Sequence, residues 1–496
     1  MFSLRRSLRE EGSLLPAGVR CRAMKTTEEL CFQPATELAK RLRTKELSAR
    51  EVVEAHLAQI ERVNPKVNAV VTLVGEQALD VAAMADRRIA RGEFAGILHG
   101  LPVLHKDLFP TRGIRTTQGS PIFADFVPDR DALIVERFRA AGAITLGKTN
   151  TPEFGAGSQT FNEVFGATSN PYDLSKTCGG SSGGAAVALA CGMAPLADGS
   201  DVGGSLRNPA SYCNVFGLRT SPGRVPGWPS ATGWSPLNVQ GPMARTAADA
   251  ALMLAAIAGP DPRVPLSITE PGEAFLAPLE RDFARVRVAW SADLGGLPVD
   301  ARVSEALKAQ RQVLDELGCE VFDVTPAFAG AEEAFLVSRA LNMEASLGPV
   351  LDAHRDQVKS TVAWNIEQGR KLTGPEIAAA ERARTELFER FAAFMGEFEF
   401  FLCPVAQVPP FDISVEYPES INGVPMANYI DWMRSAWYIS ATAHPAASVP
   451  AGFTRDGLPV GLQVVGRYRD EFGVLQLAHA MEQVRPWWKQ HPPVAR

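Results

Sequence analysis

The sequence predicts an α/β protein. Short apolar segments bounded by glycine and proline alternate with longer segments whose apolar residues recur at helical spacing. Hydrophobic residues make up 46% and charged residues 21% of the 496 residues, which is typical of globular proteins and excludes a disordered or fibrous chain. No stretch approaches 18 uncharged apolar residues, so no membrane-spanning helix is predicted.

The first predicted elements are two amphipathic helices within residues 34–63. Ser48 followed by Glu51 has the capping-box pattern that begins the second helix. Residues 1–23 are basic but contain only a short apolar stretch, interrupted by Pro16, which is too short for the core of a secretory signal. We therefore expect residues 1–23 to be a disordered extension, Met24 to be an alternative start, and the protein to be cytoplasmic.

From residue 96 onward the pattern changes to strands and helices in alternation. Strand, helix and strand are predicted in that order for LPVLHKDLF, DALIVERFRAAG and AITLGKTN. A further helix is predicted from about Val303 to Leu317. Further strands are predicted at residues 286–291, 320–324, 398–404 and 446–453. The sequence therefore predicts a sheet with helical connections.

Charge and cysteine content exclude several classes of function. The net charge is −6 and no run of five Lys or Arg occurs, so the chain offers no positive surface for nucleic acid. The seven cysteines are scattered and lack the spacing of a zinc site or a disulfide framework, as in a protein of the reducing cytoplasm. No group of His, Asp and Glu has the spacing of metal ligands, so no metal is predicted.

Two Gly/Ser-rich segments between Thr168 and Gly227 carry the candidate chemistry. In the first, GGSSGG runs directly into the apolar segment AAVALACGM, whose first-turn amides could hold an anion or a carbonyl oxygen. In the second, DGSDVGGSLRNP, two glycines directly precede Ser205. Such glycines allow successive N–H groups to point into one concavity, as an oxyanion hole requires.

The first segment also matches a different type of catalytic site. Gly179-x-Ser181-x-Gly183 fits the nucleophile elbow of α/β-hydrolases. An elbow follows a buried strand, whereas the polar sequence SNPYDLSKT precedes Ser181 here. A histidine-based triad would use a downstream histidine, and no motif singles out any of His354, His444 and His479. The context therefore favours Ser205 over Ser181 as the nucleophile.

Together with a third segment, these motifs resemble the amidase signature family. GGSSGG and DVGGSLRNPASYCNVFGLRTSPGRV resemble the two halves of its signature, and GLPVLHKDLF resembles its lysine segment. Ser205 follows Ser181 by 24 residues and Lys106 by 99, which also resembles the family's spacing. The similarity continues through GKTNTPEF, GPMARTAADAALML and PAGFTRDGLPVGLQVVG, and thus spans roughly residues 30–485.

The resemblance implies a role for each matching residue. Ser205 matches the family's acylated nucleophile, Ser181 its bridging serine on a cis peptide bond, and Lys106 its terminal base. Such a site needs no metal or other cofactor. The other matches are supporting groups: the oxyanion-hole amides of Val202, Gly203, Gly204 and Ser205, and the hydroxyl of Ser182.

The resemblance also implies the fold and the reaction. The expected fold is a single large domain at residues 24–496, with a twisted mixed β-sheet of about eleven strands flanked by helices on both sides and a catalytic core at residues 96–260. The expected reaction is hydrolysis of small, apolar aryl or alkyl amides through an acyl-enzyme, with ester or carbamate (urethane) cleavage possible. A monomer or homodimer is expected, without membrane or nucleic acid. The alternative is a glutamine-amidotransferase A-type subunit that acts with partner chains.

Residues 325–440 depart furthest from the family's common pattern and are predicted to form the substrate entrance. Their aromatic residues, with others near the signature, suggest an apolar funnel for an aryl or alkyl acyl group. The sequence contains no obvious cluster of positive charge for a carboxylated substrate. The candidate substrate-binding residues are Phe154, Trp228, Trp234, Met426 and Trp437.

A lysine that serves as a general base must have a lowered pKa. The segment VLHKDLF surrounds Lys106 with apolar residues, and the Gly/Ser loops supply no carboxylate that would keep the lysine protonated. We therefore expect Lys106 to be neutral enough to accept a proton. Asp201 and Arg207, which flank Ser205, are expected to form a buried pair that shapes the loop.

Overall fold

An eleven-stranded mixed sheet crosses the protein in the computed structural model, which describes residues 27–496. The predicted extension at residues 1–23 lies outside the described residues. The strands, in chain order, are β1 (Val70–Leu73), β2 (Pro102–Lys106), β3 (Ile144–Thr149), β4 (Phe161–Asn162), β5 (Gly166–Ala167), β6 (Leu196–Asp201), β7 (Phe216–Arg219), β8 (Val239–Ala244), β9 (Arg287–Trp290), β10 (Glu320–Asp323), β11 (Phe400–Pro404), β12 (Ser420–Ile421), β13 (Val424–Pro425), β14 (Ala446–Phe453) and β15 (Pro459–Gly466).

The order of strands in the large sheet is β1-β3-β2-β6-β8-β7-β14-β15-β11-β9-β10. Strands β3, β2 and β6 run parallel, as do β11, β9 and β10, whereas the strands between β6 and β11 pair antiparallel. This confirms the predicted mixed sheet of about eleven strands. The remaining short strands form two separate pairs, β4 with β5 and β12 with β13.

Helices surround the sheet. The helices are α1 (Thr27–Cys31), α2 (Ala35–Arg43), α3 (Ala49–Val67), α4 (Gly75–Ala90), α5 (Leu133–Ala140), α6 (Gly183–Ala190), α7 (Arg207–Tyr212), α8 (Ala247–Ile257), α9 (Ala301–Glu316), α10 (Ala331–His354), α11 (Ser360–Lys371), α12 (Gly374–Glu397), α13 (Arg434–Ala441) and α14 (Glu471–Val484). Every residue of β2, β6, β7, β11 and β15 is buried, so both faces of the sheet are covered there.

Several local predictions are confirmed. The two N-terminal helices are α2 and α3, and the capping box of α3 joins Ser48 to Glu51 in both directions. The predicted helix near residues 303–317 is α9, and each predicted strand falls on an observed one. Among residues 27–496, no helix is both long and apolar enough to cross a membrane.

The region predicted as the substrate entrance is largely helical. Helices α10 and α11 pack on each other, and α10 also packs on α12 and α13. Phe335 of α10 stacks on Trp437 of α13, with ring centroids 4.8 Å apart. These helices form a second layer beside the sheet, and α10 approaches the segment before Ser205 through Phe335, which lies against Gly203.

Three glycines in adjacent strands make room for the residue that follows Ser205. A Cβ atom on Gly199 of β6 would lie 2.6 Å from Leu206, and one on Gly217 of β7 would lie 2.5 Å from the Leu206 carbonyl oxygen. On Gly241 of β8 it would lie 2.9 Å from Leu206 and 2.2 Å from the backbone oxygen of the neighbouring strand β7. The sheet therefore holds the backbone next to Ser205 in a hollow lined by glycine.

We predict that Gly241→Ala destabilises the protein by about 2 to 3 kcal/mol, because the added methyl group meets backbone that cannot rotate away. The matched control is Gly396→Ala in α12, where a Cβ atom has no neighbour within 4 Å. Alanine favours helix over glycine, so the control should be neutral or stabilised by up to about 1 kcal/mol. Urea unfolding of both variants measures the difference. Equal stability of the two variants would contradict the close packing described for Leu206.

Candidate active site

Lys106 lies at the carboxyl end of β2 and is completely buried. Its Nζ is 2.8 Å from Ser181 Oγ, 2.9 Å from Ser182 Oγ and 3.1 Å from Ser200 Oγ. Ser200 belongs to β6, which runs parallel to β2, so the two side chains reach the same edge of the sheet. The lysine is thus surrounded by hydroxyl groups, each of which can exchange a hydrogen bond with it.

Burial lowers the pKa of Lys106 to about 7, although the negative charges of Asp201 and Asp198 act in the opposite direction. The expectation that no carboxylate influences this lysine is therefore wrong. Asp198 also accepts a 2.7 Å hydrogen bond from the backbone N–H of Lys106. Because burial outweighs both charges, a large fraction of the amine is neutral near pH 7.

Ser181 precedes α6 in a loop that touches the second Gly/Ser segment. The Gly180–Ser181 peptide bond is cis, as the resemblance implied. The backbone N–H of Ser182 donates to the Ser205 carbonyl oxygen at 3.1 Å, which joins the two predicted segments directly. Ser181 and Ser205 both line one cavity. The structure therefore brings the three predicted catalytic residues together, with Ser181 beside both Lys106 and the cavity.

The loop that carries Ser205 is organised by the buried carboxylate of Asp201. Its oxygens accept hydrogen bonds from the backbone N–H groups of Gly204, at 2.9 Å, and Leu206, at 3.1 Å. Arg207 donates two further hydrogen bonds to the same carboxylate, and Arg219 donates one. The predicted buried pair is thus a group of three charges that holds both sides of Ser205.

Burial alone would raise the pKa of Asp201, but the charges of Arg207 and Arg219 prevail and hold it well below its usual range. The carboxylate is therefore ionised at every pH at which an amide hydrolase operates. Its charge is matched locally by the two guanidinium groups, which are themselves completely buried. This arrangement keeps the loop in one conformation across that pH range.

The predicted oxyanion-hole amides are not equivalent in the structure. Gly204 uses its N–H for the hydrogen bond to Asp201. Within residues 27–496, the N–H groups of Val202, Gly203 and Ser205 take part in no hydrogen bond. These three donors lie in the segment that borders the cavity and can accept a negatively charged oxygen.

The cavity next to the two serines has a volume of about 390 Å³. One part of its lining is apolar, and the other part carries amide, hydroxyl and guanidinium groups. The apolar part includes Leu108, Phe154, Ala156, Leu237, Met343 and Leu347. The polar part includes Gln118, Thr232, Asn238, Arg339, Asn342 and Ser346. The site is therefore a mixed cavity rather than the apolar funnel expected from the aromatic residues.

Only one of the five candidate substrate-binding residues, Phe154, lines this cavity. Trp228 lies over Arg263 and precedes the cavity residue Pro229. Trp234 is 78% exposed, and Trp437 is fully buried against Phe335. Met426 packs against the same apolar cluster as Trp437. The structure does not bring these four side chains to the cavity wall.

Sequence analysis missed the polar residues of α10 that face the cavity. Arg339, Asn342, Met343 and Ser346 recur three or four residues apart, so they occupy one side of the helix. Of these, only Met343 is apolar. A sequence signal existed, since this spacing predicts a shared face, but it did not reveal that the face meets Ser205.

Other charged residues near the site have structural partners. His105 pairs with Asp198 at 2.5 Å, and Asp107 accepts hydrogen bonds from the hydroxyl and backbone N–H of Thr117. In residues 27–496 no group of three His, Cys, Asp or Glu side chains is arranged to bind a metal ion. No strand leads into Ser181 either, because the residues directly before it form turns and bends, contrary to the geometry of a nucleophile elbow.

Comparison with known proteins agrees with this geometry. The family model described as Amidase matches residues 51–475. An acylamidase of Rhodococcus erythropolis is 36% identical over 470 residues, which cover 94% of this chain and 98% of the relative. A glutamyl-tRNA(Gln) amidotransferase subunit from Ectopseudomonas mendocina is also 36% identical, over 92% of this chain and 98% of the relative.

Two solved structures have the same fold over nearly their whole length. A bacterial aryl acylamidase of the amidase signature family superimposes with a TM-score of 0.86 at 30% identity, covering 94% of this chain and 98% of the other. A 6-aminohexanoate cyclic dimer hydrolase gives a TM-score of 0.85 at 26% identity, covering 94% of this chain and all of the other. The chain therefore belongs to the amidase signature family, whose enzymes hydrolyse carbon–nitrogen bonds of amides.

Proposed function

We propose that this amidase cleaves small amides through an acyl-enzyme on Ser205, with Ser181 and Lys106 as a proton relay. The observation that carries the proposal is the position of Lys106 Nζ, which is buried, has a pKa near 7 and lies 2.8 Å from Ser181 Oγ. Ser181 in turn faces the cavity that contains Ser205. A neutral amine and an intervening hydroxyl can remove a proton from the nucleophile and later return it.

In acylation, Ser205 Oγ bonds to the amide carbonyl carbon while its proton passes to Ser181, whose own proton passes to Lys106. The carbonyl oxygen becomes negatively charged and is held by the N–H groups of Val202, Gly203 and Ser205. The carbon–nitrogen bond then breaks, and the proton returns from Lys106 through Ser181 to the leaving amine. Water repeats these steps with the acyl-enzyme, releases the carboxylic acid and restores Ser205.

The cavity favours small amides with an apolar portion. Its volume of about 390 Å³ is in the range of small-molecule sites. Phe154 and Met343 provide apolar surface for an aryl or alkyl group. The acylamidase and aryl acylamidase among the similar proteins support this substrate class. Esters and carbamates contain the same electrophilic carbonyl group, and we propose that the enzyme also cleaves activated ones.

A glutamine-dependent amidotransferase subunit is the second candidate, because relatives with that name are as similar as the acylamidase. Such a subunit would release ammonia from glutamine and depend on partner chains. Assay of the purified chain with glutamine and with a simple anilide separates the two candidates. Turnover of the anilide without glutaminase activity supports the amidase, and the reverse result supports the amidotransferase subunit.

We predict that Ser205→Ala lowers kcat by several orders of magnitude while leaving the fold intact, because the variant lacks the hydroxyl that bonds to the substrate. Ser304→Ala, in α9 and outside the cavity, is the matched control and should retain wild-type turnover. Covalent labelling with an irreversible serine-directed phosphonate, followed by peptide mapping, identifies the nucleophile independently. A label on Ser181 would overturn the assignment of Ser205.

We predict that amide hydrolysis rises with pH through a single ionisation near pH 7, because Lys106 must lose its proton before it can accept one from the relay. The rate should then remain high in mild alkali. Lys106→Ala should abolish this rising limb and impair an amide far more than a nitrophenyl ester of the same acyl group, since only the amine leaving group needs a proton. Rate profiles from pH 5 to 9, measured for both substrates, test this. An unchanged limb in the variant would identify another group as the base.

We predict that hydroxylamine intercepts the acyl-enzyme and yields a hydroxamate. Anilides with one acyl group but different leaving groups should give the same ratio of hydroxamate to acid, because both products arise from one intermediate. Chromatographic measurement of the two products provides this ratio. A ratio that changes with the leaving group would contradict a shared covalent intermediate.

A further inference from the structure

Arg339 is a buried cation in the wall of the cavity. Its side chain belongs to α10, only 8% of the residue is exposed, and it lines the cavity beside Ser205. Nη2 donates a 2.6 Å hydrogen bond to the Tyr429 hydroxyl, whereas Nη1 is buried and has no hydrogen-bond partner among residues 27–496. Buried polar nitrogens are almost always paired, so an unpaired guanidinium nitrogen at a ligand cavity needs an explanation.

No acidic side chain balances this charge. Within residues 27–496, Arg339 forms no ion pair with any Asp or Glu, although many other arginines in the structure do. The described residues that line the cavity include no Asp, Glu, Lys or His, so Arg339 contributes its only charged side chain. A buried charge without a counter-charge is costly. The cavity is therefore complementary to an anion.

The arginine is close to the reacting centre. Phe335, one helical turn earlier on α10, is the side chain that a Cβ atom on Gly203 would meet, at 2.8 Å. Four residues advance a helix by about 6 Å, so Arg339 lies roughly that far along α10 from the oxyanion segment. A small substrate bound at Ser205 can reach it.

Neighbouring residues hold the guanidinium in place. The Tyr429 hydroxyl accepts hydrogen bonds from both Arg339 and Asn365, and the guanidinium carbon lies 5.5 Å from the centre of the Tyr429 ring. These contacts fix the arginine but leave its charge unbalanced. Anchoring of this kind prepares a planar donor for a carboxylate, which guanidinium groups bind through two parallel hydrogen bonds.

We propose that Arg339 determines substrate specificity by binding a carboxylate at the end of the substrate remote from the scissile amide. This rests on the proposed function, since it assigns the substrate class of the same site. The preferred substrates are small amides with an apolar middle portion and a terminal carboxylate, on either the acyl or the amine side. The absence of a visible cluster of positive charge in the sequence does not conflict with this, because one desolvated arginine is sufficient.

Two matched substrate pairs test the proposal. For the acyl side, the mono-4-nitroanilide of glutaric acid is compared with the 4-nitroanilide of pentanoic acid, in which a methyl group replaces the carboxylate. For the amine side, 4-(pentanoylamino)benzoate is compared with pentanoyl anilide. We expect wild-type kcat/KM to favour the carboxylate member of at least one pair by about 10- to 100-fold, as is typical of hydrogen bonds to charged groups.

The same ratios are then measured in Arg339→Met, Arg339→Lys and the control Arg455→Met, whose arginine is on the surface and pairs with Glu305. The ratio should fall at least tenfold in Arg339→Met, be partly retained in Arg339→Lys, and equal the wild-type ratio in the control. A merely structural role for Arg339 would lower the rates for both members equally and leave the ratio unchanged, which would overturn the proposal.

Wild-type protein alone also decides the question if the variants fail to fold. Turnover of the neutral anilides without preference for either carboxylate would refute the role of Arg339 while leaving the proposed function intact. Failure to cleave any of the four compounds, together with no labelling of Ser205, would instead refute the proposed function.

Discussion

The ion cluster of Asp201, Arg207 and Arg219 is the interaction on which the site depends. A carboxylate that is fully buried needs partners for all its lone pairs, and here two arginines and two backbone N–H groups provide them. The same hydrogen bonds fix the path of the chain on both sides of Ser205. Removing one partner of a buried ion pair typically costs about 3 to 5 kcal/mol. The conformation of the loop thus has an electrostatic origin, and its stability is independent of the bound substrate.

This cluster opposes the requirement of the neighbouring base. The negative charges of Asp201 and Asp198 favour the protonated form of Lys106, whereas burial favours the neutral amine. Burial prevails because the lysine is completely enclosed, and because two arginines offset the charge of Asp201. The resulting pKa of about 7 lies between that of a permanently charged lysine and that of a permanently neutral one. Such a group can both accept and return a proton at neutral pH.

Sequence patterns predicted local structure and the motifs, but not the pairing of distant elements. The capping box at Ser48 and the segment around Lys106 depend on neighbours in the chain, and the structure contains both elements as expected. The effect of Asp198 on Lys106 arises from the pairing of β2 with β6, which joins residues about 90 positions apart. Trp437 illustrates the other difficulty. Its aromatic character suggested a substrate contact, yet it equally suits the core, where it stacks on Phe335.

The cavity has two walls of different construction. One wall is backbone and hydroxyl groups from loops at the edge of the sheet, where glycine leaves no space for larger residues beside Leu206. The opposite wall is a helical surface from α10, whose exposed side chains can differ in size and polarity without altering the backbone beneath Ser205. This division makes the scaffold modular for protein engineering. Substrate range can be redesigned on a single helix while the proton relay is retained unchanged on the other side.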